Sequence, residues 1–218
     1  MKHEINPKDT SRAQAFELWM KSPMPMVTLT KTFDVTRLRR VSRRRNIRSA
    51  FGRLLPEGRK KFNLLLCWCI GKAASRIDEF YLLPEQGKLY KYDRLAINVI
   101  VNNKEGGINS CDIPYTDDMA LFGQEYATLT QAASTSSQST FVDEAMVIGT
   151  SAMTATELDC IVNQYTDQFC NPMVMWGRYR KGWLKTTLPI SFQFHHVQMD
   201  GGHAARFLEE LQKTINTI

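Results

Sequence analysis

Histidines close to the C-terminus are the residues of this chain best suited to chemistry. The stretch His195-His196-Val197-Gln198-Met199-Asp200-Gly201-Gly202 holds two of the four histidines, and His203 lies just beyond it. A free imidazole titrates near neutral pH, so it can take up and return a proton during a reaction. A histidine followed four residues later by an aspartate, and then by glycines that allow a sharp turn, predicts a small proton-transfer site.

The elements around this stretch indicate how the histidines are positioned. Apolar residues alternate along residues 188–194, which is the period of a half-buried strand. His196 continues the apolar phase whereas His195 falls on the other face, so we expect His196 to point inward. After Gly202 the apolar residues take helical spacing. A strand, a glycine turn and a helix favour a functional histidine here, although an isolated histidine is more often structural.

At this point the chain resembles a known family. The pattern His-His-x-x-x-Asp-Gly at residues 195–201 is similar to the signature of chloramphenicol acetyltransferases, with related forms in dihydrolipoyl acyltransferases and peptide-synthetase condensation domains. The likeness extends to residues 177–179 (Gly-Arg-Tyr), 206–212 and 11–19, although the last segment lacks the Trp and His of the family's Trp-x-Arg-x-x-His-Phe. The length of 218 residues matches one such subunit. The resemblance covers most of the chain, except an enlarged basic segment at residues 37–61.

The resemblance implies a fold and an assembly. The implied fold class is α/β, a two-layer sandwich with a mixed β-sheet and helices packed on one face, in a single acetyltransferase domain over residues 1–218. The implied assembly is a homotrimer with active sites at the subunit interfaces. The residues agree with this fold class, because predicted strands and helices interleave without the regular alternation of a doubly wound fold. With 43% apolar and 23% charged residues, the chain is expected to form one soluble globular domain.

The resemblance also implies a reaction, acetyl transfer from acetyl-coenzyme A as co-substrate to a hydroxyl group, with chloramphenicol as the expected acceptor and antibiotic resistance as the result. His196 is the expected general base, which removes the hydroxyl proton and returns it to the departing thiol. The transfer is direct, so no acyl-enzyme forms and no cysteine need be a nucleophile. Ser151, directly after a predicted strand, matches a family serine that stabilises the oxyanion. A serine that caps the next turn is the structural alternative.

Two further pairs of residues follow from the resemblance. In the family an aspartate matching Asp200 pairs with an arginine near the N-terminus, here Arg12, and the pair holds the turn in shape. Asp200 and Arg12 are therefore expected to have structural roles. Arg178 and Tyr179 match a Lys-Tyr pair on the coenzyme side, where a basic side chain suits a phosphate group. An ordinary surface pair is the alternative for these two residues.

The predicted acceptor pocket departs from the family. Trp19 stands where a tyrosine usually helps to cover chloramphenicol, and Met175 stands where a threonine often helps to hold the reacting groups. Trp19 and Met175 are therefore the predicted substrate-binding residues. Because lost polar contacts can change selectivity by orders of magnitude, a different hydroxyl compound remains an alternative acceptor. A thiol or amine acceptor, nearer the dihydrolipoyl type, is a further alternative.

Positive charge is concentrated in residues 37–61, which contain eleven Lys or Arg and one acid, Glu57. The net charge of this segment is therefore +10, against +6 for the whole chain. Such a segment suits a phosphate-bearing cofactor, an acidic partner or nucleic acid, or is simply solvated. Repeated aromatic residues for stacking bases are missing, so nucleic acid is an unlikely partner. A basic binding module is nevertheless the third hypothesis for the function.

Neither a membrane nor a metal is expected from the sequence. Residues 1–19 do not read as a signal peptide, and the longest apolar run, residues 62–70, is too short to span a bilayer. A cytoplasmic location is the resulting prediction. The five cysteines match no zinc or disulfide spacing, so no structural metal is expected, and Cys67 and Cys69 are expected to be buried.

Apolar periodicity and turn residues predict the remaining elements. They indicate helices over residues 13–20, 34–45, 62–80 and 117–131, strands over 27–33, 95–101, 145–150, 172–179 and 183–194, a hairpin over 81–92, and a mobile Ser/Thr-rich loop over 132–140.

Overall fold

The computed structural model describes residues 1–43, 59–136, 138–166 and 168–218. Residues 44–58, which are most of the basic segment 37–61, therefore lie outside the described residues, and so do the alternative roles predicted for that segment. Within the described ranges the strands are β1 Lys2–Ile5, β2 Met26–Asp34, β3 Leu82–Glu85, β4 Lys88–Tyr92, β5 Leu95–Asn102, β6 Ile108–Pro114, β7 Met146–Met153, β8 Met173–Gly177, β9 Arg180–Lys181 and β10 Thr186–His195. The α-helices of these ranges are α1 Ala13–Trp19, α2 Thr36–Ser42, α3 Arg59–Ala74, α4 Met119–Thr135 and α5 Gly201–Thr217.

The larger sheet is mixed, and the predicted fold class is confirmed. Its strands lie in the order β2-β10-β8-β7-β5-β6, and β9 pairs with β10. The pairs β8–β7 and β7–β5 are parallel, whereas β10 is antiparallel to both of its neighbours. A smaller antiparallel sheet, with strand order β1-β4-β3, contains the predicted hairpin.

The core lies between the larger sheet and the helices. The predicted apolar face of β10 is fully buried, and the ring of Phe192 lies 4.6 Å, between centroids, from the ring of Phe207 on α5. Helix α3 is apolar around much of its circumference, which is typical of a helix buried on several sides. Leu64, Leu65 and Leu66 are indeed all fully buried. The strand that ends at the histidine motif is therefore packed against the core over its whole apolar face.

The helix predicted over residues 62–80 is wrong at its end. Helix α3 stops at Ala74, because Ile77 takes an extended conformation and a short 3-10 helix follows at Asp78–Tyr81. After this break the side chain of Phe80 packs into the core, where it is fully buried. It also places the segment 78–82 beside the histidine motif.

The predicted loop over residues 132–140 is wrong in its first part, since α4 continues to Thr135. The hydroxyls of Ser134 and Thr135 donate to the carbonyl of Gln131, so these residues satisfy their polar groups within the helix.

The strand predicted over residues 183–194 is wrong at its start. Residues 183–185 instead form the turn between β9 and β10, where the N–H of Gly182 donates to the carbonyl of Lys185.

Three strands of the described ranges were not predicted, β1, β6 and the two-residue β9, because none of them shows a clear alternation of apolar residues. No helix of the described residues is long and apolar enough to cross a membrane.

Candidate active site

The histidine motif lies where β10 gives way to α5. The strand ends at His195, and the chain turns before α5 begins at Gly201. The backbone N–H of His196 donates to the carbonyl of Pro25 at 2.8 Å, and the N–H of Met199 donates to the carbonyl of His195 at 3.2 Å. His196 is thus fixed at the backbone by the start of β2 on one side and by its own turn on the other.

The imidazole of His196 lies flat against the indole of Trp19. The ring centroids are 4.9 Å apart and the planes differ by 12°. The Nδ1 atom of His196 is buried, and no partner for it is found among the described residues. Stacking, more than side-chain hydrogen bonding, therefore orients this ring in the described chain, and Trp19 of α1 is part of the site.

His195 is the more deeply buried of the two histidines, so the expectation that His196 alone points inward is wrong. His195 is 1% exposed, whereas His196 is only partly buried. The reason is tertiary, because the second face of β10 is also covered. The N–H of Ile161 donates to the hydroxyl of Ser191, and the amide of Gln193 donates to a carbonyl at residue 163.

The environment of His195 keeps its ring neutral. Burial, and then the proximity of His196, lowers the pKa of His195 to about 4. Its Nδ1 accepts the backbone N–H of Val197 at 3.1 Å. His195 is therefore an uncharged structural element at neutral pH, and of the two adjacent histidines only His196 is partly accessible.

Arg12 and Asp200 meet at the turn. Arg12 is 3% exposed and makes three hydrogen bonds, from Nη1 to Oδ2 of Asp200 at 3.0 Å, from Nε to the carbonyl of Val197 at 2.9 Å and from Nη2 to the carbonyl of His196 at 2.9 Å. The planar guanidinium suits such a set of fixed acceptors. One buried cation thus holds both the carboxylate at the end of the turn and the backbone of His196.

Asp200 also begins α5 as its N-cap. Its Oδ1 accepts the N–H groups of Gly202 and His203, at 2.9 and 3.3 Å. Burial opposes ionisation of the carboxyl, but the hydrogen bonds from His203 and Arg12 outweigh it and hold the pKa of Asp200 below its ordinary value. The carboxylate is therefore charged at neutral pH, as the contact with Arg12 requires.

Three contacts of the turn were missed in the sequence. Gln198 is fully buried and donates from Nε2 to the carbonyl of Leu82 at 2.6 Å. The ring of His203 lies between Asp200 and Glu79. Glu79 and Leu82 are more than 100 residues away in sequence, so no local pattern points to them. Only His203 was visible as a third histidine near the motif.

Ser151 and Met175 lie side by side on the larger sheet. The register across three strands pairs Ser151 of β7 with Met175 of β8, and Met175 with Ser191 of β10. Directly paired residues project to the same face of a sheet, so these two predicted site residues are neighbours on the face opposite the helices. Met175 is 2% exposed and Ser151 is partly exposed.

The same register separates Ser151 from His196 within one chain. Ser191 lies two strands from Ser151 and five residues before His196. With about 4.8 Å between strands and about 3.3 Å per residue along a strand, the two backbones are on the order of 19 Å apart. The structure therefore brings Arg12, Trp19 and His196 together, and Ser151 with Met175, but not these two groups with each other.

A cavity of about 340 Å³ opens on the face of the sheet that carries Ser151. Gly149, two residues before Ser151 in β7, lines it together with Met173 and Gln193 of the neighbouring strands. Phe141 and Phe169 also line it and are strongly exposed. This sheet-face cavity is large enough for a small organic molecule and lies next to the predicted oxyanion donor.

A groove on the helix side of the sheet contains the predicted coenzyme residues. Arg178, Tyr179 and Lys181 line a cavity of about 390 Å³. A second cavity of about 370 Å³ shares lining residues with the first, so the two form one groove. Thr150 and Ala152 line its inner part. The groove thus extends from the basic side chains of Arg178 and Lys181 to Thr150 and Ala152, the two residues that flank Ser151 in the sequence.

The predicted coenzyme residues differ in their surroundings. Tyr179 packs on Phe62, with ring centroids 5.2 Å apart, and under the guanidinium of Arg39 at 5.7 Å. Arg178 is 45% exposed at its side chain, and its Nε lies 3.8 Å from a carboxylate oxygen of Glu157. Arg178 is therefore loosely paired and accessible, while Tyr179 belongs to the wall of the groove.

The thiol nearest the groove belongs to Cys67. Cys67 lines the inner part of the groove, but burial raises the pKa of its thiol to about 12, so the thiol is protonated at neutral pH. No group of three or more His, Cys, Asp or Glu side chains in the described part of the chain is arranged to hold a metal ion.

Comparison with known proteins places this chain in a family. The chain matches the family Chloramphenicol acetyltransferase over residues 4–212. It is 23% identical to chloramphenicol acetyltransferase 3 of Escherichia coli over 216 residues, which cover 96% of this chain and 95% of the relative. A shorter match, 44% identical over 46 residues, links 21% of this chain with 22% of a chloramphenicol acetyltransferase of Clostridium perfringens.

Solved structures agree on the fold. A chloramphenicol acetyltransferase structure superposes with a TM-score of 0.79 at 19% identity, covering 99% of this chain and 100% of the other. A dihydrolipoamide acetyltransferase of Azotobacter vinelandii follows with a TM-score of 0.66 at 17% identity, covering 95% of this chain and 86% of the other. The chain belongs to the chloramphenicol acetyltransferase family and is an acyltransferase.

Proposed function

We propose that this protein transfers the acetyl group of acetyl-coenzyme A to a hydroxyl group of chloramphenicol and thereby confers resistance to the antibiotic. The observation that carries the proposal is the turn of His196, which Arg12 holds through two backbone carbonyls and through Asp200. Such a turn presents an oriented imidazole at the end of a rigid strand, which is what proton transfer at a fixed position needs.

His196 is the general base. Its imidazole takes the proton of the acceptor hydroxyl as the hydroxyl oxygen attacks the thioester carbonyl, and it gives the proton to the thiol of coenzyme A as the tetrahedral intermediate collapses. The acetyl group passes directly between the two substrates. The protonated thiol of Cys67 supports a transfer with no acyl-enzyme, because only a thiolate is an effective nucleophile.

Ser151 stabilises the negative oxygen of the tetrahedral intermediate by donating a hydrogen bond. One such donor typically contributes about 3–4 kcal/mol to lowering the barrier. Because Ser151 and His196 of one chain lie on the order of 19 Å apart, the two residues must come from different copies to meet. This separation supports a homotrimer in which each active site lies at a subunit interface, with His196 from one copy and Ser151 from the next.

Acetyl-coenzyme A occupies the groove on the helix side of the sheet. The accessible guanidinium of Arg178 meets a phosphate group, and Tyr179 forms part of the wall beside it. The inner part of the groove ends at Thr150 and Ala152, so the thioester arrives next to Ser151.

The acceptor approaches from the other side of the sheet. The sheet-face cavity receives it, with Met175 beside Ser151, while Trp19 of the copy that supplies His196 covers it. The two substrates thus reach Ser151 from opposite faces of the larger sheet. The acceptor hydroxyl and the thioester of acetyl-coenzyme A therefore meet beside Ser151. We place this reaction in the cytoplasm.

The test is acetyl transfer measured as release of free thiol. Purified protein is incubated with acetyl-coenzyme A, with and without chloramphenicol, alongside His196→Ala and the control His3→Ala, which changes an exposed histidine. We expect chloramphenicol-dependent thiol release that is retained in His3→Ala and falls by about a thousandfold or more in His196→Ala.

Two results would contradict parts of the proposal. Thiol release from other hydroxyl, thiol or amine compounds, with none from chloramphenicol, would replace the acceptor and keep the enzyme class. Full turnover of chloramphenicol by His196→Ala would remove His196 as the base.

A further inference from the structure

The turn that carries His196 has a second support, on the side away from Arg12. This support is the segment 78–82, where the chain leaves α3. It contacts the turn twice, at Leu82, whose carbonyl accepts Nε2 of Gln198 at 2.6 Å, and at Glu79, whose Oε1 lies 2.9 Å from Nε2 of His203. Gln198 is fully buried and the side chain of Glu79 is 11% exposed, so neither contact is a surface feature.

The ring of His203 connects Glu79 to the turn. Its Nδ1 lies 3.2 Å from the backbone nitrogen of Asp200, in a capping box, and 2.8 Å from Oδ1 of the Asp200 side chain. Its Nε2 faces Glu79, so the proton on Nε2 is donated to that carboxylate. A carboxylate behind a histidine fixes both the rotation of the ring and the position of its proton. Glu79 therefore determines how His203 presents its other nitrogen to Asp200.

Asp200 is connected to His196 through Arg12. Its Oδ1 accepts N–H groups at the start of α5, while Oδ2 accepts Nη1 of Arg12. The same guanidinium donates to the carbonyl of His196. The polar contacts thus run without a gap from Glu79 through His203, Asp200 and Arg12 to the backbone of His196.

We propose that Glu79, acting through His203, is a positioning residue for His196. The inference rests on the proposed function, because it assumes that His196 is the base. Glu79 contacts neither the ring of His196 nor the two candidate substrate cavities beside Ser151. Arg206 pairs with the same carboxylate, since its Nη2 lies 3.4 Å from the second oxygen of Glu79.

The test is a double-mutant cycle with two conservative variants. Glu79→Gln keeps the shape of the side chain and removes its charge. His203→Asn keeps an acceptor near the Asp200 N–H and loses the reach to Glu79. We expect each to lower kcat by about tenfold with little change in KM for either substrate, as for other residues that orient a functional side chain. Because both act through one contact, the double variant should be no slower than the slower single one.

The matched control is Glu210→Gln. Glu210 lies on α5, the helix that carries His203, and pairs with Arg76 and Lys213, so this variant removes a paired carboxylate without touching the turn. We expect it to leave kcat unchanged. Equal losses of thermal stability in Glu79→Gln and Glu210→Gln, with normal kcat in both, would show that Glu79 is merely structural and would overturn the inference.

A second readout does not depend on turnover. The chain has only four histidines, so labelling histidine with nitrogen-15 resolves the ring of His196 by NMR. We expect Glu79→Gln to shift the ring signals of His196, and Glu210→Gln to leave them unchanged. If the wild type transfers no acetyl group, the proposed function fails while these signals still decide the coupling. Unmoved signals of His196 in Glu79→Gln would refute it.

Discussion

The His196 turn and the Ser151 face of the sheet are organised in opposite ways. The turn is held by many polar contacts within one chain, above all by Arg12, which is 3% exposed. The Ser151 face opens onto a cavity beside Phe141 and Phe169, which are 68% and 70% exposed. Large exposed aromatic side chains around a cavity are typical of a surface that is completed by a partner or a ligand. One half of the proposed site is thus preorganised in the single chain, and the other half is the one that we propose a second copy completes.

The largest difference between the two regions should appear when Ser151 is changed. We expect Ser151→Ala to lower kcat by about 10²–10³-fold, because a lost oxyanion donor typically raises the barrier by that amount. Its stability should be unchanged, since Ser151 is partly exposed and lies near the end of β7. Steady-state kinetics and thermal unfolding of the same preparation provide the measurement. A variant with normal kcat would reduce Ser151 to a strand-end serine.

A substitution in the His196 turn should behave differently from Ser151→Ala, because it should lower both the stability and kcat. Asp200→Asn removes the charge that faces the buried guanidinium of Arg12 at 3.0 Å. Because the side chain of Asp200 is 42% exposed, water compensates in part, and we expect a loss of about 2 kcal/mol in the free energy of unfolding. We also expect kcat to fall, since the carbonyl of His196 shares the same guanidinium. Normal rate and stability in Asp200→Asn would remove the structural role of this pair.

The buried His195 gives the turn a pH dependence of its own. Its pKa is about 4 in the folded chain and about 6.5 when unfolded, so the unfolded state binds more protons between these values. The contribution of His195 to stability is therefore present above pH 6.5 and is lost as the pH falls towards 4. Between pH 6.5 and 5 we expect a loss on the order of 1–2 kcal/mol.

Denaturant titrations of wild type and His195→Asn at several pH values measure this contribution. Asparagine can still accept the N–H of Val197 and does not titrate, so the slope over this pH range should be shallower in the variant. Equal slopes would show that His195 is protonated with similar ease in both states.

The smallest effect is expected at the outer end of the groove. Arg178 is 45% exposed and only loosely paired with Glu157, so its contact with a phosphate is screened by solvent. We expect Arg178→Ala to raise the KM for acetyl-coenzyme A by about tenfold without changing kcat, since the contact is the same in ground and transition state. The KM for acetyl-pantetheine, which lacks the nucleotide phosphates, should not change. An equal rise for both donors would place Arg178 elsewhere than at a phosphate.

Local patterns in the sequence predicted the elements of the site better than its contacts. The strand before His196 and the helix after Gly202 follow from apolar periodicity, and both are observed. The pairing of Arg12 with Asp200 joins residues 188 positions apart, so only the family resemblance suggested it. No sequence pattern pointed to Glu79, because its contact with His203 depends on where α3 ends.

The burial of His195 and the register between the strands could not be predicted from the sequence, for a related reason. His195 is buried because residues 161–163 cover the second face of β10, and strand alternation within β10 carries no information about that cover. The distance between Ser151 and His196 depends on how β7, β8 and β10 align, which periodicity does not determine. Both features are properties of the assembled sheet.

The most direct measurement mixes two inactive proteins. His196→Ala and Ser151→Ala are unfolded together in equal amounts, refolded, and assayed for acetyl transfer to chloramphenicol, with each refolded alone as control. If every site takes His196 from one copy and Ser151 from its neighbour, about a quarter of the sites in random mixed oligomers are intact, and about a quarter of the wild-type rate should return. A mixture as inactive as its components, although mixed oligomers have formed, would contradict an active site shared between subunits.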